Sequence, residues 1–229
     1  GSIRSTLIVV NVRRTLETLE RQERIERAGS LENDPVPLPP EISASPYFGF
    51  TYTVLLPLLL FLPAFISGSV AVDTITEEME RGTLELLRVA PVSLLDIVDG
   101  KALGMTLLAP VQSLLWIVLL SGNGIRVANV SVILLFVTAV AALVVTIGVL
   151  LGVATGKRRP AQLLYSVVTL VVFGAAVALP EHPATTIAKL AVDSPTLSTY
   201  ATVWATFGAA IVAYAVARKY VGSVDASAF

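Results

Sequence analysis

The side chains best suited to chemistry or recognition lie in one charged segment, residues 73–101, set between two long apolar stretches. Helices that rest on a lipid surface are usually rich in lysine and arginine. Residues 77–88 instead contain four glutamates and only two arginines. This balance favours recognition of a protein by complementary charge over contact with anionic lipid.

The spacing of these charges predicts that the segment is helical. Thr74 followed by Glu77 is a capping-box pattern, which predicts that a new helix begins where the chain leaves the membrane. Glu77 and Arg81 are four residues apart and stabilise a helix as a local ion pair. Gly82 costs about 1 kcal/mol relative to alanine and predicts a bend, and Pro91 ends the helix.

The sequence excludes several kinds of chemistry. The phosphate-binding pattern Gly-x-x-x-x-Gly-Lys-[Ser/Thr] is absent, so this chain is not expected to bind a nucleotide through such a loop. There is no cysteine, and the single histidine, His182, is expected to be a surface loop residue. The net charge of −1 argues against a nucleic-acid partner. We therefore predict no catalytic, cofactor-binding or metal-binding residue in this chain.

The composition is that of a membrane protein. Hydrophobic residues make up 55% of the chain and charged residues 14%, and a membrane-spanning helix needs about 20 mostly apolar residues. We predict an all-α integral membrane protein with five transmembrane helices. The predicted spans are residues 50–72, 102–120, 130–154, 163–179 and 198–217. Apart from tyrosines they contain no ionisable residue, which disfavours an ion-coupled carrier.

The distribution of basic residues predicts the orientation. Short loops on the side of residues 73–101 carry eight lysines and arginines, whereas the opposite short loops carry only Arg126 and Lys189. Because cytoplasmic loops are enriched in basic residues, the charged segment and the C-terminus are expected in the cytoplasm. The N-terminal segment of this cell-membrane protein is then outside.

Three regions follow from this topology. Residues 1–48 are expected to be the remnant of an extracellular domain, with one strand (5–12), one helix (13–27) and a proline-rich linker (34–40). Residues 49–220 form the transmembrane domain, with residues 73–101 as its cytoplasmic segment. Residues 221–229 form a cytoplasmic tail. One strand and one helix do not form a core alone, so part of the extracellular domain is expected upstream.

Two further patterns concern packing. Gly148, Gly152 and Gly156 are spaced by four and form a smooth ridge that permits close helix contact. Packing within the chain is favoured over a dimer interface, although both readings remain open. Residues 185–192 are expected to form a short helix lying at the outer surface.

The charged segment resembles the signature of ABC-2 type transporter permeases. The resemblance lies in residues 80–87 (Glu-Arg-Gly-Thr-Leu-Glu-Leu-Leu), then Pro-Val-Ser at 91–93 and Gly-Lys at 100–101. In that family the signature forms a coupling helix that sits in a groove of the ATPase subunit. The order of the later spans also fits, and the resemblance covers about residues 50–220.

The resemblance implies the membrane subunit of an ATP-binding cassette exporter. Expected partners are an ABC ATPase, which would bind ATP and Mg²⁺ because this chain has no phosphate-binding loop, a second permease copy or a paralogue, and membrane lipid. It implies ATPase docking by Glu77, Glu78, Glu80, Arg81, Gly82, Thr83, Leu84, Glu85, Arg88 and Pro91. The family has a further membrane helix before the extracellular domain, so this sequence is expected to be a fragment.

Two alternatives remain beside the exporter. One is a membrane scaffold that does not transport. The other is a glutamate-type intramembrane protease, suggested by Glu77-Glu78-x-x-Arg81. The protease pattern places one more residue before the arginine and requires histidines in later helices, and this sequence has neither feature.

Overall fold

The computed structural model describes residues 16, 19, 20, 22, 23, 26, 48–81 and 94–223. The chain divides into two compact units, Gly1–Ser45 and Pro46–Phe229. In the first unit the described residues are helical, and Gln22 Nε2 donates to Glu26 Oε1 at 3.2 Å. They agree with the helix predicted over residues 13–27. The predicted strand, residues 5–12, lies outside the described residues.

The second unit contains six helices in the part of the chain that the structure describes. They are α1 (a turn Phe48–Phe50, a π-helical turn Thr51–Leu55 and the α-helix Leu56–Glu80), α2 (Leu94–Gly122), α3 (Val130–Thr155), α4 (Arg158–Ala175, extended by a 3₁₀ turn Ala176–Ala178), α5 (Pro183–Ala191) and α6 (Leu197–Ser223). All except α5 are long and apolar enough to cross a membrane. No strand occurs among the described residues. The prediction of an all-α membrane protein with five transmembrane helices is confirmed.

Four helices extend further than their predicted spans. Helix α6 continues to Ser223 instead of ending near residue 217. Helix α1 continues to Glu80 instead of ending near residue 72, and α4 begins at Arg158 instead of near residue 163. Helix α2 also begins earlier than predicted. A helix of about 30 residues is about 45 Å long, which exceeds the ~30 Å hydrocarbon core of a bilayer. Charged residues that were expected in loops therefore lie on helices.

Helices α1 and α3 form the centre of the bundle. About half of each span is buried, 50% for α1 and 56% for α3, compared with 17–22% for the other three. Phe61 of α1 and Phe136 of α3 meet edge to face, with ring centroids 6.0 Å apart. Helices α2, α4 and α6 pack around this pair and expose many leucines and valines. Such exposed apolar faces suit contact with lipid.

Small residues allow α1 and α3 to approach closely. A Cβ atom at Gly148 would lie 2.5 Å from the Gly68 carbonyl oxygen, and one at Gly152 would lie 3.2 Å from Ile75 Cγ2. The predicted glycine ridge thus packs within the chain at these two positions. Gly156 has another role, because it ends α3 in the left-handed conformation with a φ of 61°.

The short helix α5 closes one end of the bundle. It spans Pro183–Ala191, close to the predicted residues 185–192. The side chains of Ile187 and Leu190 are completely buried. Helix α5 inserts this apolar face among the ends of the long helices. Its location at the outer surface of the membrane stays a prediction.

Candidate functional site: a charged helix end

The predicted docking residues fall partly within the described chain. Glu77, Glu78 and Glu80 lie in the last turn of α1, and Arg81 follows them as its cap. Outside the described residues lie Gly82, Thr83, Leu84, Glu85, Arg88 and Pro91. The geometry of the site is therefore that of the α1 end and the helices that contact it.

Thr74 does not begin a new helix, so that prediction is wrong. Helix α1 passes through Thr74 without a break, and the Thr74 hydroxyl donates to the Val70 carbonyl oxygen at 3.0 Å. The helix persists here because its charged turns find partners on α2 and α4. Its membrane span and the first docking residues consequently belong to one continuous helix.

Two acidic side chains at the end of α1 are paired with cations. Glu77 Oε1 lies 2.6 Å from Arg81 Nη2, so the predicted local pair is confirmed. Glu78 Oε1 lies 2.6 Å from Lys101 Nζ on α2. The same ammonium group donates to the Thr74 carbonyl oxygen at 3.3 Å. Lys101 thus holds α2 against α1.

Asp73 binds α1 to α4. Its two carboxylate oxygens accept from Arg158 Nε at 2.8 Å and from Arg158 Nη2 at 3.0 Å. This two-point arrangement fixes the guanidinium in orientation as well as in distance. Gln162, one turn further along α4, donates to Asp73 Oδ1 at 2.8 Å and to the Ser69 carbonyl oxygen at 2.9 Å.

Glu80 adds a contact at the first residue of α4. Its Oε1 accepts from the backbone N–H of Arg158 at 2.9 Å. The first N–H groups of a helix have no partner within it, and the helix dipole favours a negative charge there. Glu80 therefore caps α4 from another helix.

A third pairing joins α2 to α6. Asp99 Oδ2 accepts from Arg218 Nε at 2.9 Å, and Asp99 Oδ1 accepts from the Tyr214 hydroxyl at 2.7 Å. Together with the contacts of Asp73, Glu78 and Glu80, this pairing defines what we call the charged end of the bundle. There, salt bridges and charged hydrogen bonds join α1, α2, α4 and α6.

The opposite end holds a buried carboxylate. The side chain of Glu181 is only 3% exposed and lies 2.7 Å from Lys189 Nζ. Ser198 and Thr199 donate to its Oε2 at 2.9 and 3.2 Å, and Thr186 donates to Oε1 at 3.0 Å. Glu181 thus connects the loop before α5, α5 itself and the first turn of α6.

Burial and hydrogen bonding act on Glu181 in opposite directions. Burial alone raises the pKa of this carboxyl, because it penalises the charged form. The bonds from Lys189, Ser198, Thr199 and Thr186 outweigh that effect and hold the pKa below its usual range. The carboxylate is therefore ionised at neutral pH and is held there by its donors.

Sequence reasoning missed most of these pairs. In the sequence, Asp73 marks only the start of the charged segment, Arg158 is one of the basic residues that predict the orientation, and Glu181 has no predicted role. A local signal existed for Glu181, because Lys189 follows it eight residues later, on the short predicted helix. For Asp73 and Arg158 there was none, since they are 85 residues apart.

His182 caps a helix and is half-buried. Its Nδ1 accepts from the Ala184 backbone N–H at 3.1 Å, and its ring packs edge to face on Phe173 at 5.3 Å. It lies in the loop before α5, as predicted, and is partly exposed. Among the described residues no group of acidic or histidine side chains is arranged to hold a metal ion.

Comparison with known proteins assigns the family. A sequence model described as ABC-2 family transporter protein matches residues 5–217, which is most of the chain. No curated protein and no solved structure matches it. The matched region contains the charged end, apart from Arg218, and nearly the whole helical bundle described above. The chain therefore belongs to the ABC-2 family of transporter proteins, as a multi-pass membrane permease of an ABC transporter.

Proposed function

We propose that this permease belongs to an ATP-driven exporter, with the charged end in the cytoplasm and residues 77–91 docked on a separate ATPase. The observation that carries the proposal is the continuity of α1, which runs unbroken from the middle of the bundle to Glu80. A partner that moves the residues after Glu80 would therefore move a central helix directly.

The pairs at the charged end would spread such a movement. Asp73 and Glu80 attach α4 to α1, and Glu78 attaches α2. Closing of the ATPase would then displace three transmembrane helices together. Charged groups in such contacts fix the position of one helix against the next more than they add affinity. This property suits helices that must move together in every transport cycle.

The proposed transporter needs a separate subunit that binds ATP. Its sequence has no phosphate-binding loop, so ATP and Mg²⁺ would be bound by the ATPase subunit. Two permeases, identical or paralogous, would assemble with two ATPases in the cell membrane. The excess of basic residues on the charged side supports a cytoplasmic location for that side. In this orientation the C-terminus would be inside and the N-terminal segment outside.

Exchanging the charges of the docking segment is expected to weaken ATPase binding. The double variant Glu85→Lys with Arg88→Glu reverses the charges that would face the ATPase, so they repel its surface instead of attracting it. The net charge and the helix-forming tendency of the segment are kept. We expect severalfold less ATPase to co-purify with the permease, at unchanged membrane insertion. The matched control is the exchange Glu20→Lys with Arg24→Glu in the N-terminal segment, which should bind normally.

Equal co-purification of wild type and the docking exchange would remove the docking role. Equal loss in both exchanges would show a general effect of charge.

Accessibility of single cysteines tests the orientation separately, since the chain has no native cysteine. A cysteine at Lys219 should be protected from an impermeant thiol reagent added outside intact cells.

Removing the Arg158 side chain is expected to uncouple transport from ATP hydrolysis. Arg158→Met deletes the contact with Asp73 but leaves the docking residues intact. The ATPase should still bind and hydrolyse ATP, while transport falls severalfold, because α4 no longer follows α1. Arg159→Met is the neighbouring control, and transport in proteoliposomes is the measurement. An unchanged ratio of transport to hydrolysis in Arg158→Met would contradict this role.

The scaffold alternative predicts a different result. With its ATPase in liposomes, a scaffold would give no substrate-stimulated ATP hydrolysis, whereas an exporter would. The protease alternative gains no support from the geometry, since Glu77 and Glu78 are each paired with a cation at a helix end.

A further inference from the structure

A cleft opens on the side of the bundle between α4 and α6. Both helices pack on α3 but make little direct contact with each other, so α3 forms the floor of the gap. The cleft has a volume of about 350 Å³, within the range of small-molecule binding sites. Val172 and Leu179 at its rim are about half exposed, so it is open sideways to the bilayer.

The walls of the cleft are apolar. No ionisable side chain lines it, and its only polar side chains are two threonine hydroxyls. Aromatic and branched aliphatic groups supply the rest, including Phe65, Phe173, Leu143 and Ile147. A charged ligand would lose its hydration here without gaining a partner, which is costly. Only an uncharged, apolar group fits these walls.

Helix α5 lies at the end of the cleft opposite the charged end. Leu179 and Pro183, at the start of α5, line that end. The ring of His182 packs on Phe173 beside them. Glu181 contacts both Lys189 of α5 and Ser198 of α6, so α5 is held in place at this end of the cleft. A long, narrow group would therefore lie along the helices with one end near α5.

The two hydroxyls of the lining add little polarity to the cleft. Thr169 Oγ1 is buried and forms no well-aligned hydrogen bond among the described residues, but it lies beside the Tyr165 hydroxyl. That hydroxyl donates to the Phe65 carbonyl oxygen at 2.7 Å. By contrast, the other lining threonine, Thr206, donates to the Thr202 carbonyl oxygen. The cleft thus offers an occupant these two threonine hydroxyls, on its α4 and α6 walls, and no other polar side chain.

We infer that this cleft binds the hydrocarbon chain of an amphiphilic lipid that enters sideways from the bilayer. In a membrane no hydrophobic force drives such binding, because lipid tails are as apolar as the walls. Dispersion attraction stabilises the bound chain instead, because the side chains that line an empty cleft lack van der Waals contacts. The bilayer is also the only phase to which the open side gives access.

This inference narrows the substrate of the proposed exporter to chain-bearing amphiphiles, and in that respect it rests on the proposed function. The binding of a lipid chain in the cleft does not depend on the proposed function. It is therefore tested on the full permease chain in lipid nanodiscs without ATPase, so that its failure and a failure of docking are separate results.

The probe is a phospholipid with a photoreactive diazirine in its acyl chain, present as a minor component. After illumination, mass spectrometry locates the labelled peptides. We expect residues 140–147 and 169–179 to be labelled severalfold more than the lipid-facing residues of α2. Leu143→Trp fills the cleft and should reduce that labelling severalfold. Val172→Trp at the rim is a second variant, and Leu115→Trp on the outer face of α2 is the matched control.

Even labelling of all lipid-facing helices, unaffected by either cleft variant, would overturn the inference and leave only boundary lipid. Occupation by a second copy of the chain is the other contrary outcome. It would appear as efficient disulfide dimerisation of Val172→Cys together with loss of cleft labelling in the dimer. Size-exclusion profiles of the variants confirm that they are folded.

Discussion

Replacing Gly148 by alanine is expected to destabilise the permease by about 3 kcal/mol, at the upper end of the range for overpacked cores. The added methyl group would lie 2.5 Å from the Gly68 carbonyl oxygen and 3.2 Å from Val72 Cγ2. A backbone carbonyl cannot rotate away as a side chain can, so α1 and α3 must move apart. The movement would disturb the contact between the two most buried spans of the bundle.

A matched substitution separates this contact from the intrinsic properties of glycine. Gly104 lies in α2, where an added Cβ would meet nothing within 4 Å. Because alanine favours helix by up to about 1 kcal/mol over glycine, Gly104→Ala should be neutral or slightly stabilising. Thermal unfolding in detergent measures both variants. Midpoints should fall by roughly 6–12 °C for Gly148→Ala and stay level or rise for Gly104→Ala.

The opposite ordering of the two variants would contradict this packing. So would a Gly148→Ala protein that unfolds at the wild-type temperature. A dimer interface at Gly148 is also distinguished, because it would make the loss of stability depend on protein concentration.

Hydropathy predicted the spans well because the requirement is simple. About 20 apolar residues must cross the hydrocarbon, and the five charge-poor intervals identify the correct helices. The ends were predicted less well, because hydropathy indicates where lipid contact ends rather than where backbone hydrogen bonds end. Residues 73–80 remain helical since Asp73, Glu78 and Glu80 find partners on neighbouring helices.

The pairs at the charged end show what local spacing can predict. Glu77 and Arg81 are four residues apart, and their contact was predicted from that spacing alone. Asp73 with Arg158 and Asp99 with Arg218 depend on which helices become neighbours. That arrangement is set by the packing of α1 and α3, which no charge spacing encodes. The docking role itself stays a prediction.

Glu181 gives the second large effect. We expect Glu181→Gln to destabilise the protein by about 2 kcal/mol at neutral pH. Breaking a buried ion pair costs more than this, but the Lys189 side chain is one-third exposed and regains some hydration. The glutamine keeps the size of the side chain and an acceptor oxygen, so the loss reports the charge rather than a cavity.

The pH dependence of this loss is the discriminating measurement. The pKa of Glu181 is lower in the folded state than the usual carboxyl value, so the carboxylate stabilises the protein at neutral pH. That contribution disappears as the pH falls through the folded-state pKa, below the ordinary carboxyl range. The gap between the thermal midpoints of wild type and Glu181→Gln should therefore close in acid. Glu77→Gln, which removes the exposed partner of Arg81, should change the midpoint little at any pH. The contrary result is a difference between the thermal midpoints of wild type and Glu181→Gln that stays constant down to the most acidic pH. That result would mean that α5 is held by the hydrogen bonds of the carboxyl group and not by its charge.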